Sequence, residues 1–211
     1  MKMDQLLWRL ADRFTGTDGE LSGVQRPEWF DRAGDLAVVD GTVSWVTPGT
    51  DGTFCHSVPC GTHPVYVGTS SYVEDVWNPD QILYTASMIV LPFAEPARIA
   101  AAYWDEGYGG YQQLEDYALL WDSRAERAAD YSQSVDEPSF FPAARNKIRT
   151  EGPLYRRHNW VDLVVDQATG ANVMVIPGSG TAVSGVEARD GDGAEDGDGE
   201  LVCLMFAACN Y

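Results

Sequence analysis

Apolar residues recur along this chain with two periods, and the change of period marks its elements. In residues 3 to 14, Leu6, Leu7, Leu10 and Phe14 fall three and four positions apart, which predicts a helix with one apolar face. Gly16 and Gly19 close it. "RPEWFDRAG" then reads as a turn with a short helical segment opened by Pro27. Beyond it the runs become strand-sized. "LAVVDGTVSWV" predicts a hairpin folded at Asp40-Gly41, a pair that tolerates positive φ. "HPVYVG" predicts a strand with Val65 and Val67 on one face and Tyr66 on the other. "YVEDVWNPDQI" is a loop or edge segment, and "LYTASMIVL" is a buried strand ended by Pro92.

The second half continues in the same way. "ARIAAAYW", residues 97 to 104, suits either helix or strand. "DYALLW" is a strand leading into a helix over 123 to 131, where Ser123 and Glu126 form a capping-box pattern. A short helix is expected around 142 to 149. "WVDLVVD" and "ANVMVIP" predict two strands joined at Gln167 to Gly170, and "TAVSGVEARD" and "LVCLMFAAC" predict two more. These elements sum to a strand-dominated α+β fold, a mostly antiparallel sheet or sandwich with a few short helices. The 211 residues suit a single domain, with 1–50 as an N-terminal helix-and-hairpin extension and 58–211 as the main body.

Charge changes the picture most. The chain carries 14 Lys and Arg against 32 Asp and Glu, a formal net charge of -18. Six of those acids lie in residues 190 to 200, so the imbalance is not owed to that loop alone. From 49 to 122 there are ten acidic side chains and one basic, Arg98. Such a field repels nucleic acid and anionic membranes and attracts a basic protein partner. The one counter-current is the run Arg145, Lys147, Arg149, Arg156 and Arg157, a small basic patch or a set of internal partners for the acids. No apolar run reaches the roughly 18 residues of a membrane helix. Asp4, Arg9 and Asp12 interrupt the N-terminal apolar residues, unlike a secretory signal. A cytoplasmic setting is expected, with the four cysteines as thiols, Cys203 and Cys209 in the core.

The C-terminal third, "NWVDLVVDQATGANVMVIPGSG", "GVEARDGDG" and "ELVCLMFA", resembles the end of the bacterial family catalogued as domain of unknown function 4241. Upstream, "GTHPVYVG", "TASMIVLPFAEPA" and "YALLWDSRAERA" resemble earlier strands of that family, so the resemblance spans roughly residues 58 to 211. Two polar features of the family are absent here. "QQLEDY" puts Leu114 where an Asp is usual, and Ser179-Gly180 runs straight into Thr181 and Ala182 instead of a Trp-Gly-Asp-Gly run. The resemblance implies a fold without a reaction, and implies that any site built from those polar residues is lost.

Four kinds of chemistry are suggested by residue type and spacing. "FCHSVPCGTHPVY" places Cys55, His56, Cys60 and His63 within nine residues. Cys55, Cys60 and His63 could ligate zinc, but an extended 54–58 turns His56 away from Cys55, and a turn entering a strand is favoured over a metal site. A nucleophilic cysteine is disfavoured by its acidic surroundings. "DGDGAEDGDGE" fails the EF-hand register from either Asp190 or Asp192, which leaves a solvated hairpin loop. Adjacent carboxylates such as Glu74/Asp75 or Asp105/Glu106 point to opposite faces of a strand and form no catalytic pair by themselves. No catalytic residue and no cofactor is assigned. The expected function is a non-catalytic acidic protein-binding module, an immunity- or antitoxin-like protein that neutralises a basic partner such as a toxin. Its partner-binding face is expected at Glu74, Asp75, Trp77, Asp80, Trp104, Asp105 and Glu106, aromatics in an acidic frame. The alternative is a hydrolase using a carboxylate or metal site in a cleft.

Overall fold

A computed structural model describes residues 1–21, 23–46, 54–73, 77, 80, 82–112, 117–129, 140, 142–144, 146, 158, 160–177 and 182–209. Helix α1 (Met3–Phe14) precedes β1 (Trp29–Val38), β2 (Thr42–Val46), β3 (Phe54–Ser57), β4 (Gly61–Val73) and β5 (Ile82–Pro92). Then come α2 (Pro96–Ala101), β6 (Tyr103–Gln112), β7 (Tyr117–Asp122) and α3 (Ser123–Ala128). The chain closes with β8 (Val161–Asp166), β9 (Ala171–Pro177), β10 (Ala182–Asp190), a 3-10 turn at Ala194–Asp196 and β11 (Glu200–Cys209).

The strands form two sheets, one in the order β1-β4-β5-β11-β10-β6 and the other β3-β2-β7-β9-β8, with every pairing antiparallel. This is the strand-dominated α+β sandwich that the apolar pattern predicts. The inner faces meet through Leu36, Val65, Val67, Ile89, Leu91 and Leu204 on one side and Leu120, Met174 and Ile176 on the other. Trp45 stacks on Phe206 across the gap, ring centroids 5.1 Å apart.

Each sheet also has a covered outer face. The apolar stripe of α1, Leu6, Leu7, Leu10 and Phe14, packs on Met88, Val90, Val186, Met205 and Ala207 of the larger sheet. That cover explains the unbroken apolar runs in β5 and β11, central strands buried on both faces. On the smaller sheet, Leu119, Trp121, Val173 and Val175 lie under Ala125, Ala129 and Ala144.

Several local expectations are corrected. "RPEWFDRAG" is mostly strand, because β1 begins at Trp29 and pairs with β4 through a bulge between Arg32 and Gly34. The Asp40-Gly41 link is a corner and not a hairpin: β1 joins the larger sheet and β2 the smaller. Gly41 has φ +76, which favours glycine. The corner is held by buried Asp122, whose carboxylate accepts the backbone N–H of Asp40 (3.1 Å) and of Thr42 (3.4 Å). The same carboxylate accepts the Arg124 N–H (2.7 Å), so Asp122 caps α3 one residue before the expected Ser123. The N-terminal segment supplies β1 to the larger sheet and β2 to the smaller. Residues 97 to 104 divide into α2 and the start of β6. Of the expected helix at 142–149, residues 142–144 and 146 are helical and the others lie outside the described residues.

Candidate binding surface

The expected partner-binding residues do not share one face. Trp77 and Asp80 lie in turns between β4 and β5, and both are exposed, Trp77 at 91%. Glu74 and Asp75 lie outside the described residues. Trp104 belongs to the core instead, 5% exposed, with its ring 5.2 Å from Phe14 of α1. The reason is strand alternation: in edge strand β6, Trp104 faces the helix layer, and Tyr103 and Asp105, on the opposite face, are exposed. Glu106 is in β6, and its side chain is outside the described set.

Register separates the two groups further. Asp105 pairs with Glu187, Glu187 with Leu204, and Leu204 with Leu91, so Asp105 stands in the row of Leu91. Ile82, where β5 begins, is nine residues from Leu91, about 30 Å along an extended strand. The hairpin end and the Asp105 end of β6 are therefore two different places on the molecule.

The hairpin end has its own shape. Among the described residues, the ladder of β4 with β1 ends at Thr69 and that of β5 with β11 ends at Met88. The two strands continue beyond both ladders through Ser70–Thr85, Ser71–Tyr84, Tyr72–Leu83 and Val73–Ile82. The base of this ribbon is fastened by the strand's approach segment: Ser71 donates N–H to Glu28 Oε1 (2.8 Å), and Gln25 Nε2 donates to the Ser71 carbonyl (3.1 Å). At the far end the cross-strand pair Val73 and Ile82 is exposed, at 43% and 45%.

The Cys/His stretch resolves as strand and turn. In β3, Cys55 is exposed and His56 buried, so alternation does turn them apart. Cys60 is exposed with its Sγ 3.5 Å from the Val39 carbonyl. His63 Nε2 lies 2.8 Å from the Pro59 carbonyl, and its ring meets Phe93 edge-on at 4.8 Å. Among the described residues no three His, Cys, Asp or Glu side chains converge as a metal site requires.

His56 takes part instead in a buried network that residue spacing did not reveal. Its Nδ1 bonds Glu187 Oε1 from the opposite sheet, and Arg189 Nη2 donates to the other Glu187 oxygen at 2.6 Å. Burial acts to raise the Glu187 carboxyl, but the bonds from His56 and Arg189 prevail and hold it below its ordinary value. In sequence Glu187 and Arg189 are two positions apart, but His56 is 131 positions from Glu187.

An open groove of about 600 Å³ lies at the opposite end of β4 and β5 from the exposed pair, lined by Met3, His63, Pro64, Pro92, Phe93 and Arg98 among others. Its cation is engaged elsewhere: Arg98 donates to Asp190 at 2.5 Å and to Glu200 at 2.6 Å. That clamp closes the base of the acidic loop and lowers both carboxyls. The basic run at 145–157 lies outside the described residues. No helix among the described residues is long and apolar enough to cross a membrane. Compared with protein-family models, curated proteins and solved structures, the chain matches none.

Proposed function

We propose that this chain is a non-catalytic acidic protein-binding module, immunity- or antitoxin-like, that neutralises a basic partner such as a toxin in the cytoplasm. The observation that carries the reading is an exposed Trp77 within a chain of net charge -18, in a stretch where Arg98 is the one cation between residues 49 and 122. A large exposed aromatic in an acidic stretch of sequence suits recognition of a cationic surface: the charge steers the encounter and the ring supplies the area buried. Arg98 is itself neutralised by two carboxylates and leaves that field unopposed. The resemblance to domain of unknown function 4241 is compatible with this role, since it implies a fold and no reaction. A hydrolase has less support: of the groove's ionisable groups, His63 and Arg98 are already hydrogen-bonded within the protein, and Glu95 is an exposed carboxylate at its rim.

The test is the salt dependence of binding to a basic partner purified from the host. Screening shortens from about 10 Å at 0.1 M salt to about 3 Å at 1 M, so affinity should fall steeply across that range. Affinity unchanged over the same range would refute the electrostatic reading.

A further inference from the structure

We infer that the exposed end of the β4–β5 ribbon is the docking element, a short finger whose Trp77, Val73 and Ile82 enter an apolar recess in a cationic partner. The inference rests on the binding-module reading and adds where the partner sits and what shape it has. Three of the six large hydrophobic side chains exposed among the described residues, Val73, Trp77 and Ile82, are at this one end. Val73 and Ile82 are cross-strand partners, so two of the three are fixed side by side. Apolar side chains gathered in this way mark an interaction site, whereas single ones are ordinary surface.

Shape and charge select the occupant. Four cross-strand pairs run beyond the neighbouring ladders; Ser70, Leu83 and Thr85 within them are buried, and the last pair, Val73 and Ile82, stands exposed. A narrow apolar hairpin end complements a concavity better than a flat face does. In sequence, the connection from Val73 to Ile82 carries Glu74, Asp75 and Asp80 and no Lys or Arg. The rim of the recess is therefore cationic. A second copy of this chain brings the same charge of -18 and is repelled, and an anionic bilayer is repelled likewise. Asp105 of β6, about 30 Å away by register, is outside the footprint.

The experiment places a photo-crosslinking p-benzoylphenylalanine at position 77 of the full chain in its own host. A matched chain carries it at position 164, the exposed Val164 of β8 in the other sheet. The expected result is an adduct from position 77, and none from 164, with a protein of net positive charge. That protein, purified, should bind the unmodified chain. Trp77→Ala should weaken the binding about tenfold or more, Trp77→Phe should weaken it less, and Val164→Ser should leave it unchanged. Trp77→Ala should melt with the parent, since its side chain is almost wholly exposed, so lost affinity is not lost folding. If a cationic partner crosslinks from 164 and not from 77, or binds Trp77→Ala as well as the parent, the finger is overturned and the binding-module reading survives. If neither position captures a cationic protein, the reading itself fails. Concentration-dependent dimers, or co-sedimentation with 4:1 phosphatidylcholine:phosphatidylserine vesicles, that Trp77→Ala abolishes would assign the finger to the wrong occupant and overturn the inference.

Discussion

Replacing Asn172 by Ala removes a buried bracket between the two sheets. Asn172 is the second residue of β9, in the "TGAN" stretch, and is 4% exposed. Its Oδ1 accepts the Ala37 N–H at 2.9 Å, and its Nδ2 donates to the Asp35 carbonyl at 2.8 Å and to Asp162 Oδ1 at 2.7 Å. Ala37 and Asp35 belong to β1 of the opposite sheet. A typical hydrogen bond contributes about 1 kcal/mol net, and a buried group left unpaired costs about 1–3 kcal/mol. Losing all three bonds should therefore destabilise the fold by about 3 kcal/mol. For a chain of this length that is a fall of about 6–12 °C in Tm. Asp162→Ala removes only one of the three bonds and should cost about 1 kcal/mol. Asn172→Asp should be at least as damaging as Asn172→Ala, because a carboxylate would face both the Asp35 carbonyl and Asp162. Urea unfolding followed by circular dichroism, with m compared across variants, measures all three. A loss below about 1 kcal/mol in Asn172→Ala, or one no larger than that of Asp162→Ala, would refute the bracket.

Two further outcomes follow from charge and burial. Cys55 and Cys60 are exposed and should react with a thiol reagent in the native protein, whereas Cys203, fully buried and with its thiol pushed up by burial, should react only after denaturation; mapping the labelled peptides by mass spectrometry decides it. Asp166 is lowered to about 2, first by the Arg124 hydrogen bond and then by Thr169 and the Ala168 N–H, so its contribution is complete above the ordinary carboxylate range near pH 4 and is lost as pH falls toward 2. The urea midpoint should fall over that window, and less steeply in Asp166→Asn; equal slopes in the two proteins would remove Asp166 as a cause.

What sequence could reveal divided by range. Helix α1 was legible because an amphipathic stripe is local, and the interior strands β5 and β11 because double burial leaves unbroken apolar runs. The turn at Gln167 to Gly170 was legible because Gly170 takes positive φ there. Asp40-Gly41 carried the same signature and misled. A positive-φ turn reverses or redirects the chain, and whether the flanking strands pair depends on partners far away. Here β4 takes β1, while β3 and β7 take β2. Asp122, some 80 positions on, holds the corner. The cap of α3 was missed for a related reason, since one carboxylate serves both the corner and the helix.

The candidate surface was half legible, and the missing half was register. Composition placed aromatics and carboxylates in one stretch of chain, and proximity in sequence suggested one face. An antiparallel sheet sends residues on neighbouring strands in opposite directions, so proximity in sequence decays quickly into distance. Trp77 and Trp104 are 27 positions apart, yet one stands at the end of a ribbon and the other under α1. Exposure makes Trp77 a candidate anchor and burial makes Trp104 a poor one, because a ring packed against Phe14 can be reached only by moving the helix. The acidity is spread through the sequence and cannot choose an orientation by itself. The apolar residues at the ribbon end can, because among the described residues half of the exposed large hydrophobics gather at that one end. Charge would then set how fast a partner arrives, and Trp77, Val73 and Ile82 where it stays.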